Sequence, residues 1–191
     1  MANLLARGIA LALCLWASVA RADDHRVFFF GNSLVYHLSG GDETAVPHWL
    51  ALLAEAGGHG FAADGTFGFL PELAANLPPE PEWSFEAVRR AWDGSVPFGD
   101  AGFDAVVLNP TNFIQSEPPD ATVDRGGAVA LTAQVLGWVA GQFPANARPR
   151  ILIYEGWAAM NTVTRYPPGA RGLARWHNWN LTHYHDWYEA Y

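Results

Sequence analysis

The sequence predicts an α/β fold, a parallel sheet with right-handed crossovers and helices on both faces. Two observations carry this. Three short apolar runs, centred on residues 27–30, 104–109 and 150–154, each break abruptly into a polar turn. Such runs read as strands buried on both faces. The segments between them carry helical periodicity, and alternating strand and helix patterns mark a parallel sheet. Open parallel sheets bind ligands just beyond the carboxyl ends of their strands. The three polar turns are therefore where chemistry is expected.

The first run, Val27-Phe28-Phe29-Phe30, passes into Gly31-Asn32-Ser33-Leu34. A serine there holds its hydroxyl over a crevice while the strand fixes its position, which makes Ser33 a candidate nucleophile. The same residues also fit a polar cap on the next helix. Gly40-Gly41 marks a loop, and residues 47–56 read as a helix. Pro47 suits its first turn, Trp49, Leu50, Leu53 and Ala54 form one apolar face, and Gly57-Gly58 ends it. Residues 59–63 are short and fit a further strand, followed by a turn at Gly65-Thr66-Phe67-Gly68. Residues 70–76 read as a short helix. Pro78, Pro79 and Pro81 exclude regular structure over 76–83. Ser84 is placed to cap a helix over 85–92.

The second run, Asp104-Ala-Val-Val-Leu-Asn109, ends in Pro110-Thr111-Asn112. Residues 124–143 are the longest predicted helix, with Val135, Leu136 and Val139 inward. The third run, Arg150-Ile-Leu-Ile-Tyr154, ends in Glu155-Gly156-Trp157. Pro167-Pro168-Gly169 forms a loop, and residues 170–191 read as an aromatic, His-rich helical stretch. A βα unit ordinarily continues into another strand, so the chain reads as cut short.

Residues 1–22 have the form of a secretory signal peptide. Arg7 and the amino terminus supply positive charge, residues 9–16 a short apolar core, and Ala20-Arg21-Ala22 an A-x-A cleavage site after Ala22. Bilayer crossing takes about 20 apolar residues, and this core is shorter. Leu13 before Cys14 argues against a lipoprotein site. The expected product, residues 23–191, is one domain, secreted or periplasmic, with no integral membrane span. It carries no cysteine, so disulfides and thiolate chemistry are excluded for it. Loss of Arg7 and Arg21 leaves nine arginines against 19 acids, a formal charge of −10. That balance argues against nucleic acid or an anionic membrane as the main partner. All 11 basic residues of the chain are arginine. The absence of lysine excludes a Walker lysine, a Schiff base and a Ser-Lys dyad.

Acyl transfer needs a nucleophile and donors for the developing oxyanion. Ser33 offers a hydroxyl. The Ser33 and Gly68 N–H groups and the Asn112 side-chain amide offer donors. These residues carry a resemblance. Gly31-Asn32-Ser33-Leu34 resembles the first block of the SGNH/GDSL hydrolases, ordinarily Gly-Asp-Ser-Leu. Gly68 is similar to the family's second-block glycine, and Pro110-Thr111-Asn112-Phe113 to its third block, ordinarily Gly-x-Asn-Asp. The resemblance runs over residues 26–157. It implies a three-layer α/β/α sandwich with a flavodoxin-like parallel sheet, here lacking its last strand. It also implies an esterase with no cofactor and no metal, acting on a small-molecule or glycan ester such as a carbohydrate O-acetyl or short-chain lipid ester.

Three departures stand against it. Asn32 replaces the family's Asp, Phe113 replaces the third block's terminal Asp, and no Asp-x-x-His occurs anywhere in the chain. A serine hydroxyl is a poor nucleophile without an adjacent base. The family would place that histidine beyond Tyr191. Within the chain, His183 and His185 are the densest histidine pair, with Asp186 beside them. Two residues apart on a helix they point in different directions, and no second cluster supports a metal site. Asn32, His37 and Trp157 are candidates to line the cleft. Trp83, Phe85 and Trp92 fit core packing better than a sugar platform. Glu155 fits a structural pair, and the Asn180-Leu-Thr182 sequon falls in a predicted helix. Two further readings stay open: a catalytically inactive protein of this type that binds a glycan or acylated ligand, and a truncated, non-functional product.

Overall fold

A computed structural model of the protein describes residues 24–36, 41, 45–83, 85, 87–110, 127–156, 170–179 and 185–190. The expected signal peptide, His37, Ser84, Thr111, Asn112, Phe113, Trp157, His183 and the 180–182 sequon lie outside these residues.

The protein has an α/β fold built on a five-stranded, all-parallel sheet. Its strands are β1 (Asp24–Gly31), β2 (Gly60–Phe67), β3 (Arg89–Arg90), β4 (Ala105–Leu108) and β5 (Arg150–Ile153), in the order β3-β2-β1-β4-β5. β3 is only two residues long. Without it, β2-β1-β4-β5 is the order in which a flavodoxin-like sheet begins. The helices are α1 (Val46–Ala56), α2 (Leu70–Ala75), α3 (Ala128–Gln142), α4 (Ala170–Trp179) and α5 (His185–Ala190).

β1 is the centre of the molecule. Alternate side chains leave opposite faces of a strand, and here both sets are apolar. Phe28 and Phe30 join Ala62, Val106 and Leu108 on one face, covered by Leu70 and Leu73 of α2 and Leu131, Val135 and Val139 of α3. Val27 and Phe29 join Ala63, Ala105 and Val107 on the other, with Val35, Trp83, Phe85 and Val88. Phe28 and Phe30 are wholly buried. Each such ring stabilises the fold by about 1.5–3 kcal/mol relative to exposure.

Three expectations are corrected. Residues 85–92 do not form a helix. They wrap the edge of the sheet through β3, which pairs with Ala62 and Ala63. Phe85 and Val88 enter one core cluster while Ala91 and Trp92 enter the other. A helix would offer its apolar stripe to one face only. The Arg26 guanidinium donates to the Ala91 and Ala101 carbonyls and ties this segment to β1.

The turn expected at residues 65–68 is strand as far as Phe67. Gly65 is a seat for Trp83 rather than a breaker. A Cβ there would stand 2.6 Å from both the Phe29 carbonyl oxygen and the Trp83 ring. The Gly65 carbonyl accepts the Trp83 N–H at 3.2 Å and the Glu82 N–H at 2.9 Å.

The apolar face of α1 is not buried. Trp49 is 54% and Leu53 68% exposed. Leu50 and Leu53 instead border a cavity of about 400 Å³ that runs beneath Val107 and Leu152. The third correction extends to β5, expected to be buried on both faces. All four of its residues are exposed, and among the described residues nothing pairs with its outer edge.

The helical stretch expected over residues 170–191 is helical where described, in α4 and α5. The other expected elements stand close to their anticipated positions. Trp83, Phe85 and Trp92 are core residues, as their composition suggested. Residues 76–83 hold no regular structure and include a cis Leu77–Pro78 bond. Among the described residues no helix is long and apolar enough to cross a membrane.

Candidate functional site

The carboxyl ends of β2, β1, β4 and β5 form one rim. β1 leaves the sheet through Gly31 and Asn32. Asn32 is 1% exposed and organises the turn that follows. Its carbonyl accepts the N–H groups of Val35 and Tyr36 at 2.9 and 3.1 Å, and its side-chain Oδ1 accepts the Leu34 N–H at 3.0 Å. Ser33 sits at the apex of this turn and is exposed. Among the described residues neither its N–H nor its hydroxyl is hydrogen-bonded.

Val35, fully buried, pins the far side of the turn against the core. Its carbonyl accepts the Val46 N–H at 2.8 Å at the start of α1. Tyr36 leans on Trp83 and Phe85, with ring centroids 5.8 and 5.0 Å apart. The residues after Ser33 form a turn, and the N-cap position of α1 is Ala45. Asn32 therefore organises a turn of Asx type rather than capping α1. Its Nδ2 is buried and has no partner among the described residues.

Gly68 lies beside this turn, just past β2. Its N–H donates to the Gly31 carbonyl at 2.9 Å. In this state the donor is engaged with the backbone of the strand that carries Ser33. Next to Gly68 lies a cavity of about 440 Å³ bordered by Thr66, Asn76, Glu72, Glu80 and Glu82. Two of those carboxylates hold backbone. Glu82 Oε2 accepts the Phe67 N–H at 3.0 Å and Glu72 Oε2 the Phe69 N–H at 2.8 Å. Among the described residues no three His, Cys, Asp or Glu side chains are gathered to hold a metal ion.

Beyond β1 the rim continues through Asn109 and Pro110, both buried. The Asn109 N–H donates to the Phe30 carbonyl at 2.8 Å, and the Tyr154 N–H to the Leu108 carbonyl at 2.8 Å. Asn109 Nδ2 reaches the Tyr154 carbonyl at 3.4 Å. These bonds carry the parallel register one step past the strands and fix the backbone of Tyr154, the residue before Glu155.

Glu155 does form a pair, with a residue 30 positions away. His185 Nδ1 lies 3.0 Å from Glu155 Oε2 and 3.1 Å from Oε1. His185 Nε2 lies 3.6 Å from Glu189 Oε1, one turn along α5. The hydrogen bond that His185 donates to the Glu155 carboxylate holds its pKa above the ordinary value, reinforced by the Glu155, Glu189 and Asp186 charges. The residue types of Glu155 and His185 were visible in the sequence, but no local spacing joins them.

A second charged group was not foreseen. Asp64, on β2, is wholly buried and accepts from Arg90 Nε at 2.8 Å and from the Gly65 N–H at 2.9 Å. Burial raises its pKa, opposed by those two bonds.

No family model matches this chain, and neither a curated protein nor a solved structure matches it. The functional reading therefore stands on the site itself.

Proposed function

We propose that the protein is an exported serine hydrolase that cleaves an acyl ester, with Ser33 as nucleophile. The observation that carries this is the Asn32 turn. It lifts an exposed, unengaged serine hydroxyl from the carboxyl end of the sheet's central strand. Open parallel sheets bind ligands at that position. The resemblance of Gly31-Asn32-Ser33-Leu34 to the first block of SGNH hydrolases supports the same assignment. Export rests on the form of residues 1–22.

In this reading the Ser33 oxygen attacks the ester carbonyl, and the carbonyl oxygen becomes an oxyanion. The Ser33 N–H faces no competing acceptor among the described residues and is the first donor to it. Asn112 is proposed as the second. Removing one oxyanion donor typically costs about 100- to 1000-fold in kcat. Collapse expels the alcohol, and water then releases the acid from Ser33.

The test is hydrolysis of a short-chain acyl ester and labelling by a fluorophosphonate. The expected result is turnover and labelling by the wild-type chain and neither by Ser33→Ala. Undiminished turnover in Ser33→Ala overturns the assignment. A second reading, a silent protein that binds a glycan or acylated ligand, is favoured by the engagement of the Gly68 N–H with Gly31. A folded wild-type chain that binds such a ligand and takes no label would select it.

A further inference from the structure

We propose that the acidic cavity beside Gly68 binds a linear aliphatic diamine. The inference stands apart from the assignment of Ser33. Three observations carry it.

The first is charge. The cavity measures about 440 Å³, a volume typical of small-ligand sites. Glu72, Glu80 and Glu82 border it, and among the described residues no cationic side chain does. None of the three carboxylates forms an ion pair among the described residues. Carboxylates gathered without a counter-charge repel one another, and a cationic ligand relieves that repulsion.

The second is a buried hydroxyl. Thr66 also borders the cavity and is only 8% exposed. Its side chain makes no hydrogen bond among the described residues, yet its oxygen is not sealed off as the unpartnered Thr132 hydroxyl is. The Thr66 hydroxyl therefore opens toward the cavity, where it can accept a hydrogen bond. Buried polar groups are ordinarily hydrogen-bonded, so this oxygen marks the place of a missing donor. An ammonium group supplies one.

The third is spacing. Glu82 Oε2 accepts the Phe67 N–H and Glu72 Oε2 the Phe69 N–H. Phe67 ends β2, and Phe69 is extended, with φ −85° and ψ 159°. N–H groups two residues apart on extended backbone leave the same edge about 6–7 Å apart. Each braced carboxylate keeps its second oxygen for a ligand. The carboxylates around this cavity do not converge to hold one metal ion. Two cations joined by a chain fit them better than one. A four-carbon chain between two ammonium groups spans about such a gap. Leu73 and Leu77, which also border the cavity, offer an apolar wall to its methylenes.

The experiment is calorimetric titration of the full chain, at low salt, with putrescine, butylamine and magnesium chloride. Putrescine should bind. Butylamine should bind about 10- to 100-fold more weakly, because one charge-assisted contact is lost. Glu72→Gln and Glu82→Gln keep an oxygen for the backbone N–H and lose only the charge. Each should weaken putrescine by a factor in the same range. Glu80→Gln and Thr66→Val should weaken it by a few-fold each; the Glu80 carboxylate braces no backbone among the described residues, and valine keeps the shape of threonine. Glu55→Gln, on exposed α1 surface, changes the net charge equally and should leave the affinity unchanged. Circular dichroism melts confirm that each variant is folded. Should Glu72→Gln or Glu82→Gln fail to fold, Glu80→Gln and Thr66→Val decide. Three results overturn the inference: putrescine that binds no tighter than butylamine or not at all, putrescine displaced by equimolar magnesium, and a loss in Glu55→Gln as large as in the cavity variants. The last would mean attraction to the net charge alone.

Discussion

Gly68 donates its N–H to the Gly31 carbonyl across 2.9 Å, extending the β1–β2 ladder one residue past its last pair, Gly31 and Phe67. The bond ties the base of the Ser33 turn to the neighbouring strand. It assigns Gly68 a positioning task that any residue keeping its N–H could perform. A Cβ at Gly68 would meet Leu73 Cδ2 at 3.3 Å, the far end of a flexible side chain. Gly68→Ala is expected to shift stability by less than about 1 kcal/mol and to leave ester turnover within a few-fold of wild type. Urea denaturation and a turnover assay check this together.

Asn32 is the opposite case, because here the side chain carries the turn. Its Oδ1 is the acceptor for the Leu34 N–H in a part-buried bond. Asn32→Ala leaves that N–H unpaired and is expected to cost about 1–3 kcal/mol. It should also lower Ser33 labelling, since the apex residue loses its brace. Comparing the melt with the labelling rate separates the two effects.

Gly65→Ala tests the seat of Trp83. The added methyl would lie 2.6 Å from a backbone oxygen and 2.6 Å from the indole ring. Neither can move without opening β1 or the Trp83 core, so destabilisation of about 1–3 kcal/mol or more is expected. The emission of the Trp83 indole should also change. A melt within error of wild type would contradict this packing.

Arg90→Ala removes the charged partner of buried Asp64, leaving the Gly65 N–H as its bond. A buried carboxylate stripped of its partner costs about 3–5 kcal/mol when the pair is fully buried. Arg90 is 45% exposed, which lowers the expectation to about 1–3 kcal/mol. The pH dependence has a definite sign. With its pKa raised in the folded state, Asp64 binds more protons folded than unfolded. Its contribution to stability is fully present below the ordinary value of 3.8 and is lost as pH rises through the raised one. Without Arg90 the pKa rises further, so the variant's deficit should grow from acid toward neutral pH. Urea melts across that range measure it.

Much of the sheet was legible because its strands announce themselves locally. β1, β4 and β5 are apolar runs with abrupt polar ends, and α3 carries its inner face at Leu131, Val135 and Val139. Legibility failed where a tertiary partner decides the backbone. Residues 85–92 have helical spacing but wrap a sheet edge, because their apolar side chains serve two cores rather than one. Gly65 resembles a turn signal but is small because Trp83 lies on it. At the rim, the order Gly31-Asn32-Ser33 was readable, since one short segment contains both the exposed serine and its brace. The Glu155–His185 contact was not, because 30 residues separate the partners and neither carries a local signature of the other.

The position of β1 has a bearing on how the protein fails. It is flanked by strands on both edges and buried on both faces. Its amide protons at residues 28–30 should therefore exchange with solvent only through global unfolding, whereas β3 and β5, at the margins, can open locally. The Ser33 turn is continuous with that slowest-exchanging segment. On heating, the turn that holds Ser33 should persist while the borders of the sheet fray, and disappear in a single step with the last cooperative structure.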